Sequence, residues 1–195
     1  MIVGEHTIIR WAEPDDAPAL RSFYDPAVPR CCLLDQRREP IFPTTDELRE
    51  VLAQKEMGRP VLFATEDKTG VVRGFCSVRS VNLEASYGET ILLLREDADY
   101  ATPLASEAID FVARQAFVHQ RLNKLLAHAL DCEQALRDCL LCHGFKSDGV
   151  QREVLFMLGR WHNVETFTLF RVSGFEHPRP QSPEREPRRP HGPEE

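Results

Sequence analysis

The stretch GFKSDGVQREVLFMLGRWHNVETFTLFRV, residues 144–172, decides the fold of this chain. Two runs rich in β-branched and aromatic residues, Val150–Leu158 and Val164–Val172, are separated by Gly-Arg-Trp-His-Asn at 159–163. Runs of this composition are typical of β-strands, and glycine and asparagine tolerate the backbone angles of a turn. The pattern predicts a C-terminal β-hairpin with its turn at residues 159–163.

The composition of the chain limits the functions that the protein can have. With 195 residues, 42% of them hydrophobic, the chain can bury the core of one domain, expected over residues 1–172. Its 24 basic and 31 acidic residues give a net charge of -7, which argues against binding to nucleic acid or to an anionic membrane. No signal peptide and no spanning helix are apparent. We therefore expect a soluble, cytoplasmic protein with reduced cysteines.

Hydrophobic periodicity and turn residues predict the order β-α-α-β-β-β-α-β-α-β-β. The predicted strands before the hairpin are 6–11, 60–66, 71–78, 89–95 and 122–130, and the predicted helices begin near 13, 44, 103 and 133. Residues 25–43 are expected to form a loop, and the second helix to end near Gly58. The tail, residues 173–195, is rich in Pro, Arg and Glu and is expected to be disordered, with a proline-rich docking peptide as the alternative.

The sequence motifs of the hairpin region are Gly-Phe at 144–145, Gly-x-x-Arg at 149–152 and Gly-x-Trp-x-Asn at 159–163. They resemble those of the Gcn5-related N-acetyltransferase (GNAT) superfamily. The resemblance is to the branch that includes the ribosomal-protein-alanine acetyltransferases. It implies an α/β (α+β) fold, with a mixed, mostly antiparallel central sheet of about seven strands flanked by about four helices. It also implies transfer of an acetyl or other acyl group from coenzyme A (CoA) to an amine, by direct attack in a ternary complex.

The same resemblance implies where acetyl-CoA, or another acyl-CoA, and its acceptor bind. Main-chain groups of Leu94 and Arg95 would hold the pantetheine arm, and the start of the long helix would hold the pyrophosphate through Leu104, Ala105 and Ser106. Tyr100 and Thr102 are further candidate cofactor-binding residues. Glu133 takes the place of an asparagine that contacts the cofactor arm. The acceptor would be an amine on a small molecule or a protein N-terminus, approaching beside the connection between the first two helices. The C-terminal strands would form a homodimer.

The phosphate motif of the family departs from its usual form in this chain. The family has Arg or Gln, two residues, Gly, one residue, then Gly or Ala; here Tyr100, Pro103 and Ala105 take these places. Proline has no N–H to donate to a phosphate, although Thr102 and Pro103 make a sound helix start with Thr102 as the N-cap. A lost hydrogen bond to a charged acceptor costs roughly 1.5–3 kcal/mol. The neighbouring acids add negative potential: Glu96, Asp97 and Asp99.

Glu89, at the start of the central strand, is the candidate general base for the acceptor amine. The alternative is that Glu89 is a solvated acid at a strand end. The tyrosine that serves some members of the family as general acid corresponds to Leu140, which cannot donate a proton.

The cysteines and a histidine near the C-terminal end raise a further alternative, a metal site or a reactive thiol at Cys132, Cys139, Cys142 and His143. A sequence that strongly indicates a zinc site has two short segments, each with a pair of ligands, whereas these residues run along one predicted helix. The spacing therefore favours packing in the core, and we predict no metal cofactor.

Two hypotheses for function remain. The first is an acyl-CoA-dependent N-acyltransferase. The second is a catalytically degenerate GNAT-fold protein that serves as a binding, scaffold or regulatory module, and it is favoured by Tyr100, Pro103, Glu133 and the acidic approach to the long helix.

Overall fold

The computed structural model describes residues 2–25, 30–34, 41–54 and 61–171, so the predicted tail at 173–195 lies outside the described residues. The described strands form one eight-stranded sheet in the order β1-β2-β3-β4-β5-β6-β8-β7. Every neighbouring pair is antiparallel except β5 and β6. The predicted mixed, mostly antiparallel sheet is confirmed. The strands are β1 (Ile2–Val3), β2 (Thr7–Trp11), β3 (Leu62–Asp67), β4 (Val72–Asn82), β5 (Tyr87–Leu94), β6 (Lys124–Leu130), β7 (Lys146–Met157) and β8 (Arg160–Phe170).

The helices flank this sheet in the predicted order, with one addition. They are α1 (Ala17–Arg21), α2 (Cys31–Leu34), α3 (Thr45–Ala53), α4 (Pro103–Arg114) and α5 (Gln134–Cys142). Helix α2 lies in the stretch 25–43 that was predicted to be loop, so that prediction is wrong for residues 31–34. Helix α3 ends before the predicted Gly58, because Gln54 takes an extended backbone conformation. None of the helices that the structure describes is long and apolar enough to span a bilayer.

Alternating residues of β5 build the cores on the two faces of the sheet. Leu92 and Leu94 pack in the cluster that contains α4 and α5, whereas Leu93 packs with α1 and α3. This is the period of two that a strand imposes on its side chains. Each buried side chain of this size contributes about 1.5–3 kcal/mol relative to its exposed state, so the two helical layers hold the central strands firmly.

The predicted C-terminal hairpin is present, but its turn is shorter than predicted. Pairing continues to Met157 and Arg160, so only Leu158 and Gly159 form the loop. Both residues have positive φ, 51° and 77°. Two-residue loops of this kind match the right-handed twist of the strands that they join. The prediction of a turn over 159–163 is therefore wrong, and Trp161 lies within β8.

Candidate functional site

Strands β5 and β6 separate after a short parallel contact, and we call the space beyond their last pair the fork. The strands pair only at Tyr87 with Lys124, Gly88 with Leu125 and Glu89 with Leu126. Beyond this point β5 continues to Leu94 and β6 to Leu130. A cavity of about 340 Å³ lies at the β5 side of the fork; its lining includes Arg30, Leu94, Arg95, Tyr100, Glu133 and Leu136. The fork therefore brings Leu94, Arg95, Tyr100 and Glu133, four predicted site residues, to one place.

Tyr100 occupies the main-chain edge of β5 within the fork. Its hydroxyl accepts a hydrogen bond from the N–H of Leu94, at 3.1 Å, and donates to the carbonyl oxygen of Leu92, at 3.3 Å. Burial raises the pKa of Tyr100 to about 12, so the hydroxyl keeps its proton at neutral pH. The N–H of Arg95 points away from the fork, because it donates to the carbonyl of Arg73 on β4, at 2.9 Å.

An ion pair between Arg30 and Glu133 lies across the mouth of the fork. The guanidinium meets the carboxylate with two nitrogens, and the Nη2–Oε2 distance is 2.6 Å. Nη1 of Arg30 also donates to the carbonyl of His128 on β6, and Oε2 of Glu133 accepts from the N–H of Leu130. A bidentate contact of this kind is both strong and directional. Glu133 therefore lies at the fork, as the resemblance implied, with its carboxylate already engaged.

The start of α4 places Thr102 at the N-cap position and Pro103 first in the helix. The Thr102 side chain does not cap the helix, because its hydroxyl donates to the carbonyl of Asp99, at 2.7 Å. The N–H of Ala105 donates to the carbonyl of Thr102. Leu104 and Ala105 are buried in the core on this side of the sheet. The amides of Leu104, Ala105 and Ser106, which were expected to face the phosphate, thus lie in the first turn of α4, and Leu104 is the nearest of them to the N-terminus of the helix.

A second cavity, also about 340 Å³, separates the start of α4 from α5. At this cavity Ser106 bonds to Nε2 of His143, at 2.9 Å, and Nδ1 of His143 lies 2.7 Å from the carbonyl of Cys139. Since a carbonyl only accepts, Nδ1 carries a proton, and in the neutral ring Nε2 then accepts from the serine hydroxyl. The described lining contains Asp97 and Asp138 but neither lysine nor arginine. A pyrophosphate there would face carboxylates without a permanent positive charge.

Glu89, the predicted base, lies at the last paired position before the fork and is held in an ion pair. Its Oε1 is 2.7 Å from Nη2 of Arg79, and its Oε2 accepts from the hydroxyl of Ser80, at 3.3 Å. Nε2 of His128 lies 3.9 Å from the same Oε1. His128 was missed by the sequence analysis. The available signal was a single histidine among apolar residues in β6, Lys124–Leu130.

The cysteines divide between the core and the surface. Cys139 is buried, as predicted, and burial raises its pKa to about 11, so it is a thiol at neutral pH. Cys132 and Cys142 are exposed, which corrects the expectation that they pack in the core. Cys132 lies with Asp131 and His162 in a group whose ligand atoms are within 4.8 Å of one another. Nδ1 of His162 already contacts Asp131, at 3.0 Å, and the absence of a metal cofactor stays a prediction.

Comparison with known proteins identifies the fold. No protein family model and no curated protein sequence matches this chain. A solved structure named Probable acetyltransferase superposes with a TM-score of 0.70 and 21% identity, covering 87% of this chain and 95% of that one. Spermidine N-acetyltransferase from Vibrio cholerae, in complex with CoA and spermine, gives a TM-score of 0.71 and 18% identity, covering 86% and 96%. At these identities the likeness shows the fold alone: the chain has the GNAT fold, as predicted.

Proposed function

We propose that this protein is an acyl-CoA-dependent N-acyltransferase that transfers an acetyl group to an amine. The observation that carries the proposal is the fork, where β5 and β6 part after three pairs and leave a strand edge facing a cavity of about 340 Å³. An extended chain with amide groups can hydrogen-bond to such an edge as an added strand does. The pantetheine arm of acetyl-CoA has this character. The similar fold of a spermidine N-acetyltransferase crystallised with CoA and spermine supports the same assignment.

The residues at the fork fit the arm of the substrate better than its pyrophosphate. The N–H of Leu94 would bind the arm once the hydroxyl of Tyr100 had moved away. The amides of Leu104 and Ser106 would face the pyrophosphate, but the Ala105 amide already donates to the carbonyl of Thr102, Pro103 supplies no donor and the nearby cavity is acidic. We therefore expect acetyl-CoA to bind less tightly than it would to a glycine-rich loop. The reaction itself is a direct displacement: the amine nitrogen bonds to the carbonyl carbon, the C–S bond breaks and CoA leaves as the thiol.

The test is calorimetric titration of the full chain with acetyl-CoA, CoA and S-acetylpantetheine at low and moderate salt. Micromolar binding of acetyl-CoA is expected. S-acetylpantetheine lacks the pyrophosphate, so comparable binding of both would assign the affinity to the fork. No binding of acetyl-CoA at millimolar concentration would overturn the proposal. Release of CoA in the presence of spermidine or a peptide with a free N-terminus then separates a small-molecule acceptor from a protein acceptor.

A second function, a GNAT-fold binding or scaffold module that does not use CoA, is favoured by two contacts in the fork. Tyr100 bonds to the β5 edge, and the Arg30–Glu133 pair ties α2 to the segment after β6. Together they already satisfy, within the protein, the hydrogen-bonding and charged groups that a bound substrate would otherwise contact. This function predicts no binding of any CoA compound and self-association or partner binding through the surface. The homodimer and the cytoplasmic location stay predictions, and sedimentation velocity tests the first.

A further inference from the structure

Four polar side chains form a row across four neighbouring strands beside the fork, and we call them the polar row. They are Arg79 on β4, Glu89 on β5, His128 on β6 and Thr166 on β8. Arg79 pairs directly with Glu89, and His128 with Thr166, in the strand register. The same face of these strands also carries apolar residues such as Phe75, Leu93, Leu130 and Val164. Burying polar groups in such a layer is costly unless they are paired, so the row needs a physical reason.

Glu89 is fixed by Arg79, and Arg79 is itself held by the main chain. Arg79 is 8% exposed, and its Nη1 and Nη2 donate to the carbonyls of Leu34 and Leu33, at 2.7 and 2.8 Å. Nη2 also meets Glu89. The Nε of Arg79 is buried and has no hydrogen-bond partner in the part of the chain that the structure describes. The polar row thus holds the Glu89 carboxyl group in place and leaves one buried donor, the Nε of Arg79, for a further acceptor.

His128 is the member of the row best placed to exchange a proton. It lies two positions beyond the last β5–β6 pair, so it stands at the base of the fork. Its Nε2 is 3.9 Å from Oε1 of Glu89, and its Nδ1 is 3.2 Å from the hydroxyl of Thr166. The side chains of His128 and Glu89 are each 17% exposed. An imidazole changes its charge near neutral pH, whereas a carboxylate held by an arginine is a weak base there.

We propose that His128 is the general base of the acyl transfer and that Glu89 is its positioning residue. This inference rests on the proposed function. The acceptor arrives as an ammonium ion; Nε2 of His128 takes one proton from it, directly or through one water, and the free amine attacks the thioester carbonyl. The C–N bond forms as the C–S bond breaks. The sulfur leaves as a thiolate and takes a proton from solvent, while His128 releases the first amine proton to solvent and the attacking nitrogen releases the second.

The described charges around His128 act on its response to pH. The Glu89 carboxylate favours the imidazolium that forms when His128 takes a proton, and the Arg79 guanidinium behind Glu89 partly opposes it. Arg30 contacts the main chain of His128 and carries Glu133 as its own counter-ion. Thr166 is neutral, and its hydroxyl orients the ring. Removing the charge of Glu89 should therefore make His128 lose its proton at a lower pH.

The experiment compares the wild type with His128→Asn, whose amide can keep the contact to Thr166 but has no base at the Nε2 position. His119→Asn, at an exposed histidine after α4, is the matched control. Acetyl-CoA binding is measured by calorimetry, and CoA release is followed with two nucleophiles, glycinamide and hydroxylamine. Glycinamide is largely an ammonium ion at neutral pH, whereas hydroxylamine is largely unprotonated. We expect His128→Asn to lower kcat about a hundredfold with glycinamide and less than fivefold with hydroxylamine, with acetyl-CoA affinity unchanged.

The variant Glu89→Gln provides a second measurement, the pH dependence of the rate. This dependence would stay the same if Glu89 and His128 served only to stabilise the structure. The acidic limb of the pH–rate profile should move to lower pH in this variant, because His128 then loses its proton more easily. An equal loss with both nucleophiles, no loss in His128→Asn, or an unmoved limb in Glu89→Gln would each overturn the assignment of the base while acyl transfer stands. A wild type that binds no acetyl-CoA, or that releases no CoA with either nucleophile, would instead overturn the proposed function and this inference with it.

Discussion

The hydroxyl oxygen of Tyr100 lies 3.1 Å from the main-chain nitrogen of Leu94, on the edge of β5 that faces the fork. One hydroxyl thereby satisfies both a donor, the N–H of Leu94, and an acceptor, the carbonyl of Leu92, on a strand edge where no described strand pairs beyond Glu89. An edge of this kind is otherwise a template for any extended chain. Tyr100 therefore acts as an internal competitor for ligands that bind along β5.

Replacing Tyr100 with phenylalanine should expose the β5 edge without emptying the space that the ring fills. We expect acetyl-CoA to bind about fivefold more tightly, because it no longer displaces a hydroxyl worth about 1 kcal/mol. The free energy of unfolding should fall by about the same 1 kcal/mol. Calorimetry and urea unfolding measure the two effects. Tyr87→Phe, on the same strand, is the control, and weaker binding in Tyr100→Phe would show instead that the hydroxyl helps to hold the substrate.

Replacing Pro103 with alanine should restore an amide donor at the start of α4. If this turn faces the pyrophosphate, the new hydrogen bond to a charged acceptor contributes roughly 1.5–3 kcal/mol, so acetyl-CoA affinity should rise at least tenfold. S-acetylpantetheine should gain nothing. Pro14→Ala is a close control, because Pro14 also opens a helical segment but lies in the turn before α1. Equal changes in the two variants would remove the start of α4 from the binding site.

Replacing Glu133 with glutamine should destabilise the protein by about 3 kcal/mol, since it leaves the guanidinium of Arg30 with only 10% exposure and no counter-ion. The double variant Arg30→Met with Glu133→Gln should recover part of this loss. An exposed ion pair within α3, Asp46 with Arg49, gives the reference: Asp46→Asn should cost less than about 1 kcal/mol. Urea unfolding measures the free energy of unfolding of each variant. Equal decreases in Glu133→Gln and Asp46→Asn would contradict the view that burial makes the Arg30–Glu133 pair the more important one.

Asp16 should make the stability of the protein sensitive to acid. Burial acts to raise the pKa of Asp16, but hydrogen bonds from Arg10 and the Glu13 N–H, together with the Arg10 charge, outweigh burial and hold that pKa below its ordinary value. A carboxyl group with a lowered folded-state pKa stabilises the protein above its unfolded value, about 3.9 for Asp, and this contribution disappears as the pH falls through the folded value.

Asp16→Asn should therefore be less stable than the wild type at pH 7, and the difference should shrink as the pH falls below about 4. Urea unfolding at a series of pH values measures both effects. Asp15→Asn, at the exposed neighbouring acid, is the control and should follow the wild type throughout. A constant difference between Asp16→Asn and the wild type at all pH values would exclude the Arg10 contact as the cause.

Local sequence patterns predicted the order of the strands and helices, whereas the mixed sheet was predicted from the resemblance to the GNAT superfamily. Strands β3 and β4 lie close to the predicted 60–66 and 71–78, and Asp67 and Gly70 form the turn between them: Asp67 accepts from the N–H of Thr69, and Gly70 has a φ of 82°. The hairpin turn was misplaced because Gly and Asn at 159 and 163 both favour turns, and only strand pairing selects between them. Trp161 pairs with Phe156 across the hairpin, which draws the turn forward to Leu158 and Gly159.

The contacts that decide the site could not be predicted from local patterns, because they join distant parts of the chain. Arg30 and Glu133 are 103 positions apart and meet only because α2 packs beside the end of β6. Glu107, which follows the phosphate motif, accepts hydrogen bonds from the N–H groups of His6 and Thr7 and so ties α4 to β2. Predicted positions such as Leu94 and Tyr100 were brought to the fork, but sequence could not reveal that these two residues bond to each other.

The fork also divides the sheet according to chain order. Strands β1 to β5 all precede residue 95, and β6 to β8 all follow residue 123, so each side of the fork is one continuous piece of chain. In the sheet, the two pieces are joined by only three residue pairs. A break in the connection at Asp97–Ala101 would yield two fragments that meet in the core around α4 and also along the candidate substrate cavity. Their reassembly would then respond to a ligand in that cavity, which makes the chain suited to a split reporter for its own ligand.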